Sequence, residues 1–248
     1  MTVGEHQGTA QAPFPVHEFT VDCDGERLSA VRAGDPGAGP TAVLLHGAGN
    51  GSKERLLPLL PAFAERDRHA LAFDFSGHGR STGRLSELSL RRRFEQAVAV
   101  IDAHAGAGPL LLVGFSMSGQ TVADLLPYYG RRVASVGLCA PGVFAAAAWG
   151  EPFGDGTGAF TNILRTPVSW QDSPALPALR DFEGRAVLVT PGTDTVIPAE
   201  VTKAVEAALS TRARYSRLEL PYAEHKLGLW FRDHPEDGRR LVAELLWG

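Results

Sequence analysis

The segment LLVGFSMSGQ, residues 111–120, decides how the rest of the chain is read. The apolar run Leu110–Val113 stops at Gly114, and Ser116 follows with Met117, Ser118 and Gly119 behind it. A short run that is apolar at every position fits a strand buried on both faces. Small residues then let the chain turn sharply into the helical pattern Val122, Leu125, Leu126, Tyr129, which Pro127 is expected to bend or end. The question is whether Ser116 is a nucleophile or one of two ordinary turn serines.

The same alternation recurs along the chain. Further apolar runs are Ala42–Leu45, Ala70–Phe73, Val133–Leu138, Ala186–Val189 and, less purely, Arg217–Leu220. Between them lie amphipathic helical patterns. Leu90, Phe94, Ala97, Val98 and Ile101 follow Ser89 as N-cap. Val201, Ala204, Val205, Ala208 and Leu209 are opened by Pro198, and Leu241, Val242, Leu245 and Leu246 are entered through Pro235. Upstream, His17–Cys23 and Arg27–Ala33 flank Asp24-Gly25, a hairpin signal. The pattern predicts an α/β fold: a mainly parallel central sheet with an N-terminal antiparallel hairpin and helices on both faces. The polar first fifteen residues are expected to fray. Gly142 to Phe182 breaks the rhythm, being rich in Gly, Ala and Pro yet carrying Phe144, Trp149, Phe153, Phe160 and Trp170. Those aromatics argue against disorder, so 142–182 is read as a short cap insertion within one domain spanning 1–248.

Composition narrows the function classes. The 248 residues carry a net charge of -4 without a basic footprint, which argues against nucleic acid as partner. Arg91-Arg92-Arg93 falls in a helical pattern and reads as a solvated face. The two cysteines, Cys23 and Cys139, form no CxxC or Cys/His cluster; Cys139 reads as core, and a reducing compartment fits. No signal-peptide pattern and no membrane-length apolar run stands in the sequence, so a cytoplasmic protein is expected. The eight histidines lack metal-ligand spacing, and neither metal nor cofactor is expected.

Ligands of open α/β sheets bind beyond the carboxyl ends of the strands. There the sequence places His46-Gly47-Ala48-Gly49-Asn50-Gly51, then Asp74 through Ser81, then the Ser116 segment, then Pro191-Gly192-Thr193-Asp194, then Tyr222-Ala223-Glu224-His225. Serine, aspartate and histidine occur in that order, each just past a strand end.

These turns resemble the α/β-hydrolase family. Gly114-Phe115-Ser116-Met117-Ser118 matches the G-x-S-x-G nucleophile elbow with Ser118 in place of the last glycine. His46-Gly47 matches the His-Gly turn, and Asp74–Ser81 matches the D-x-x-G-x-G-x-S turn. The resemblance covers about residues 17–248. It implies Ser116 as nucleophile, His225 as general base and Asp194 as the acid orienting it, with the backbone N–H groups of Ala48 and Met117 as oxyanion hole. Ser118 is expected to face the packing. Asp74 and Glu224 are rivals for the acid, the first belonging to a structural turn and the second adjoining His225. His46 and His78 are expected to hold their turns, and His234 reads as helix entry. Serine at the nucleophile position disfavours the dehalogenase and epoxide hydrolase branches, which use aspartate.

Ester, thioester or amide hydrolysis and acyl transfer remain. The expected function is a carboxylesterase or lipase-like enzyme, similar to the lysophospholipase-like hydrolases. Its substrate would be a small molecule with an apolar acyl group of small to medium size. Alternatives are a thioesterase, amidase, peptidase or acyltransferase with the same residues, a lyase or perhydrolase, or a catalytically silent binding module. The insertion aromatics Phe144, Trp149, Phe153, Phe160 and Trp170 would line the substrate pocket, with Ala145–Ala148, or else pack the lid onto the body. Asn50, Lys53, Glu54 and Arg55 stand where they could rim the entrance.

Overall fold

Eight strands form one sheet in the computed structural model, which describes residues 15–37 and 39–247. The polar segment 1–14 lies outside the described residues. The strands are β1 (His17–Cys23), β2 (Glu26–Ala33), β3 (Thr41–Leu45), β4 (Ala70–Phe73), β5 (Leu110–Phe115), β6 (Val133–Cys139), β7 (Arg185–Pro191) and β8 (Arg214–Leu220). Their order across the sheet is β1-β2-β4-β3-β5-β6-β7-β8. β2 pairs antiparallel with β1 and β4, and every other pairing is parallel. The hairpin is as expected: Cys23 pairs with Glu26 across Asp24 and Gly25, whose φ values of 47° and 80° follow the strand twist. From β3 the chain moves outward to β4, then returns to the other side of β3 as β5. The crevice at this reversal brings the loops after β3 and β5 together.

The helices are α1 (Leu60–Ala64), α2 (Leu90–His104), α3 (Ser118–Tyr129), α4 (Ala159–Arg165), α5 (Ala175–Asp181), α6 (Ala199–Leu209), α7 (Leu227–Asp233) and α8 (Pro235–Leu246). Alternation along each strand divides the apolar residues between two cores. Val43, Leu45, Leu71, Phe73, Leu110 and Leu112 pack with α2, α3, α5 and α6. Their neighbours Ala42, Leu44, Ala70, Ala72, Leu111 and Val113 pack with α1, α7 and α8. Continuous apolar strands therefore cover both faces with helix. Cys139 is buried, as expected of a core residue, and burial pushes its thiol up. Among the described residues no helix is long and apolar enough to cross a membrane.

Several local expectations change. α3 runs through Pro127 to Tyr129 before Gly130 caps it. In α2, Ser89 caps the helix by accepting from Arg92 N at 3.1 Å, but the buried face comprises Leu90, Arg93, Gln96, Ala97, Val100 and Ile101. The arginine triplet is not one solvated face. Arg93 is fully buried because it lies one turn from Leu90 and Ala97, and Arg92 pairs with Asp24 and Glu26. Lys53 rims nothing: its ammonium is buried against Asp74 at 2.8 Å.

The insertion between β6 and β7 holds α4, α5 and 3-10 turns at Ala146–Ala148 and Ser169–Asp172. Phe153 and Phe160 are buried with ring centroids 4.6 Å apart, and Phe144 lies 6.2 Å from Phe160. Trp149 packs on Phe94 of α2, and half-buried Trp170 joins the same core. Gln120 of α3 fastens the insertion at both ends. Its Oε1 accepts from Phe144 N at 2.9 Å and from Ser173 Oγ at 3.0 Å.

The Lys53–Asp74 pair ties the loop after β3 to the loop after β4. The Asp74 carboxylate also accepts from Lys53 N at 2.7 Å and Arg80 N at 3.0 Å. Burial alone would lower the Lys53 ammonium, but its bonds to Asp74 and Glu54 outweigh this and hold its pKa above the ordinary range. Asp74→Asn leaves that buried cation without its main counter-charge. The expected cost is about 3–5 kcal/mol, read as a lowered midpoint in urea unfolding.

Candidate active site

Ser116 sits at the tip of the turn between β5 and α3 with φ +51°, a left-handed conformation that non-glycine residues seldom adopt. The surroundings fix it there. Ser116 N donates to Cys139 O at 2.9 Å, and Ser116 O accepts from Gly119 N at 2.8 Å and Gly142 N at 2.9 Å. Two glycines make the turn possible. A Cβ on Gly114 would stand 2.5 Å from Ser118 O, and one on Gly119 would stand 2.6 Å from Pro141 Cβ. Ser118 does not occupy such a spot. Its side chain is fully buried, accepting from Arg93 Nη2 at 2.7 Å and donating to His46 O at 2.6 Å. The serine in the place of glycine is thus part of a hydrogen-bond network.

The loops after β7 and β8 bring Asp194 and His225 to Ser116. His225 Nε2 lies 2.9 Å from Ser116 Oγ, and His225 Nδ1 lies 2.9 Å from Asp194 Oδ2. With the ring neutral, Nδ1–H donates to the carboxylate and Nε2 accepts the serine hydroxyl. The other oxygen of Asp194 accepts from Val196 N at 2.7 Å and Ile197 N at 3.1 Å, which fixes the carboxylate plane. Thr193 N and Oγ1 both donate to Ala223 O, locking the acid loop to the base loop. Asp74 is bonded to Lys53 and Arg80, and Glu224 is exposed.

His46 orders the turn after β3. Its Nε2 accepts from Phe75 N at 3.1 Å, so Nδ1 carries the proton and donates to Gly47 O at 2.6 Å. In a trans peptide the carbonyl and N–H point opposite ways, so holding Gly47 O on the imidazole aims Ala48 N–H away from it. The loop runs hard against the serine, since a Cβ on Gly47 would stand 3.0 Å from Ser116 Cβ. Among the described residues, neither Ala48 N nor Met117 N donates to a protein acceptor. Met117 follows Ser116 directly, and Ala48 follows the glycine that abuts it.

Arg93 supports this loop from below and is the residue that sequence reasoning missed. Its guanidinium donates to His46 O at 2.6 Å and stacks 3.7 Å from the centre of the Phe75 ring. Burial pushes the guanidinium down from the ordinary arginine range. Burial, then the Arg93 charge, holds His46 well below the usual histidine value. Burial and Arg93 also lower His78, against the pull of its bond to Ser76 O. Both therefore act as neutral turn-holders. His234 stacks on Trp230 and bonds its carbonyl, at the junction of α7 and α8. Among the described residues no group of three or more His, Cys, Asp or Glu is arranged to hold a metal.

The family model described as alpha/beta hydrolase fold matches residues 40–190. The chain belongs to this family. An alpha/beta hydrolase with this site is similar to the dihydrolipoyllysine-residue acetyltransferase component of the acetoin cleaving system of Cupriavidus necator, at 32% identity over 58% of this chain and 36% of that protein. It is also 31% identical to pyrrolizixenacetamide deacetylase of Xenorhabdus hominickii over 44% of each. The alignments thus span less than half of these curated relatives. Among solved structures it resembles ferulic acid-bound Est1E of Butyrivibrio proteoclasticus, with TM-score 0.71, 17% identity and coverage of 92% and 99% of the two chains. The thioesterase domain of the curacin biosynthetic pathway gives TM-score 0.69 at 15% identity, again covering 92% of this chain and 99% of the other. Likenesses at this identity show the fold.

Ser118→Ala removes a hydroxyl bonded to a charged group. It is expected to cost about 1.5–3 kcal/mol, measured by urea unfolding with an unchanged slope.

Proposed function

We propose that this alpha/beta hydrolase is a serine hydrolase that cleaves carboxylic esters through an acyl-enzyme. The carrying observation is the unbroken chain from Ser116 Oγ through both His225 nitrogens to Asp194, with each link at 2.9 Å. A serine hydroxyl is a weak nucleophile until a base takes its proton. In this scheme His225 Nε2 accepts the proton as Oγ attacks the ester carbonyl. Asp194 holds the tautomer and stabilises the imidazolium. The developing oxyanion is received by Ala48 N–H and Met117 N–H. The alcohol leaves with the proton from His225, and water then repeats the sequence on the acyl-enzyme to release the acid.

An apolar acyl group of small to medium size suits the surroundings. A Cβ on Gly142, whose N–H holds Ser116 O, would stand 3.3 Å from the Phe144 ring and 3.6 Å from Ile197 Cδ1. Of the insertion aromatics, this reading assigns the substrate wall to Phe144, while Phe153 and Phe160 are buried against each other. A second reading, amide or thioester cleavage by the same residues, draws on the deacetylase among the relatives and the thioesterase among the fold neighbours.

Ser116→Ala is expected to lower hydrolysis of p-nitrophenyl butyrate at least a thousandfold and to abolish labelling by a fluorophosphonate; an unchanged rate overturns the proposal. Asp194→Asn is expected to lower turnover roughly ten-thousandfold through the wrong tautomer. Matched oxyester, thioester and anilide substrates rank the second reading against the first.

Crowding tests the oxyanion hole, since side-chain substitution cannot delete a backbone donor. Gly47→Ala, whose Cβ would press on Ser116 beside the Ala48 N–H, is expected to lower kcat on the order of a hundredfold at a stability cost of about 1–3 kcal/mol, read in steady-state kinetics and urea unfolding.

A further inference from the structure

Away from Ser116, a cavity of about 400 Å³ opens between α2, α3 and the insertion. Its lining is apolar except at one point. Phe94, Pro127, Trp149 and Pro174 form most of the wall with three alanines, and Asp124 is the charged member. Asp124 lies six residues past Ser118, about 9 Å along the helix axis, so the cavity is set apart from the reacting serine. Its Oδ1 accepts from Gln120 Nε2 at 2.8 Å, while Oδ2 is buried without a hydrogen-bond partner among the described residues.

An unpartnered carboxylate oxygen beside an apolar cavity is costly unless something arrives to pair with it. Among the described residues no basic side chain lines the space. Two aromatic rings stand in the lining, Phe94 and Trp149, with centroids 5.8 Å apart. Ring faces attract a desolvated ammonium, and the volume falls in the range of small-ligand sites.

We propose that this cavity is a second binding site, separate from the triad, for a primary ammonium ion carried on a small apolar body. The ammonium would pair with Asp124 Oδ2 once the carboxylate turns toward the cavity, and the apolar body would lie against Phe94 and Trp149. Burial, against the bond from Gln120, pushes the Asp124 carboxyl up to about 7, which fits a group lacking its counter-charge. A neutral molecule of the same shape would fill the space but leave the carboxylate unpaired, so the site discriminates by charge.

The test is calorimetric titration of the full chain at pH 8 with 2-phenylethylamine and with 2-phenylethanol, its neutral counterpart. The amine is expected to bind one to one, at least tenfold more tightly than the alcohol. Asp124→Asn is expected to weaken the amine at least tenfold and leave the alcohol unchanged, and Phe94→Ala to weaken both several-fold. Absence of amine binding, equal affinities for amine and alcohol, or an unaltered amine affinity in Asp124→Asn overturns the proposal. If Asp124→Asn fails to fold, the amine–alcohol comparison on the unaltered chain decides.

Discussion

The carbonyl of His46 is where the site is held together. Arg93 reaches it from α2 and Ser118 from the start of α3, so one backbone oxygen joins the loop after β3 to two helices. The guanidinium is fully buried, and among the described residues no carboxylate is bonded to it; it meets a carbonyl, a hydroxyl and the face of Phe75. Such a cation is tolerated only where its neighbours are fixed. It also helps keep His46 neutral, which leaves Nε2 able to accept from Phe75 N in the loop after β4. One buried charge thereby sets the shape of three consecutive strand ends.

Strain at Ser116 has its counterpart in this rigidity. A left-handed serine costs of order 1–3 kcal/mol and persists only where the surroundings over-determine it. Three backbone bonds and two glycine contacts do so here. The parallel register aligns Gly114 with Leu45 on one side and Leu138 on the other, so His46 and Ser116 emerge at nearly the same height. Asp194 and His225 arrive from the next two strands, whose loops are joined through Thr193 and Ala223.

Much of this was legible in the sequence because it is written in contiguous stretches. Strand, turn and helix follow one another in Leu110–Tyr129, and small residues mark the turn whatever lies opposite. The sheet, the hairpin and the strand ends followed from the same local grammar. Residues whose meaning depends on a partner distant in sequence were harder. Arg93 looked like one of three solvent-facing arginines, because nothing nearby in the chain reveals that Phe75, His46 and Ser118 stand behind it. Lys53 looked like a rim residue for the same reason. The helices of the insertion are only seven residues each and lack an apolar period of their own, so their order comes from packing.

Gln120 gives the insertion an unusual mechanical status. Its amide oxygen holds the chain at Phe144 and again at Ser173, so the stretch between is a closed loop with both stems on one side chain of α3. Loop closure depends only weakly on the length of what is enclosed. Residues can therefore be added in the exposed run 155–159 at little loop-closure cost, whereas Trp149, Phe153 and Phe160 are held by their packing, and the elbow beneath keeps its geometry. The surface of the insertion can diversify in length independently of the elbow.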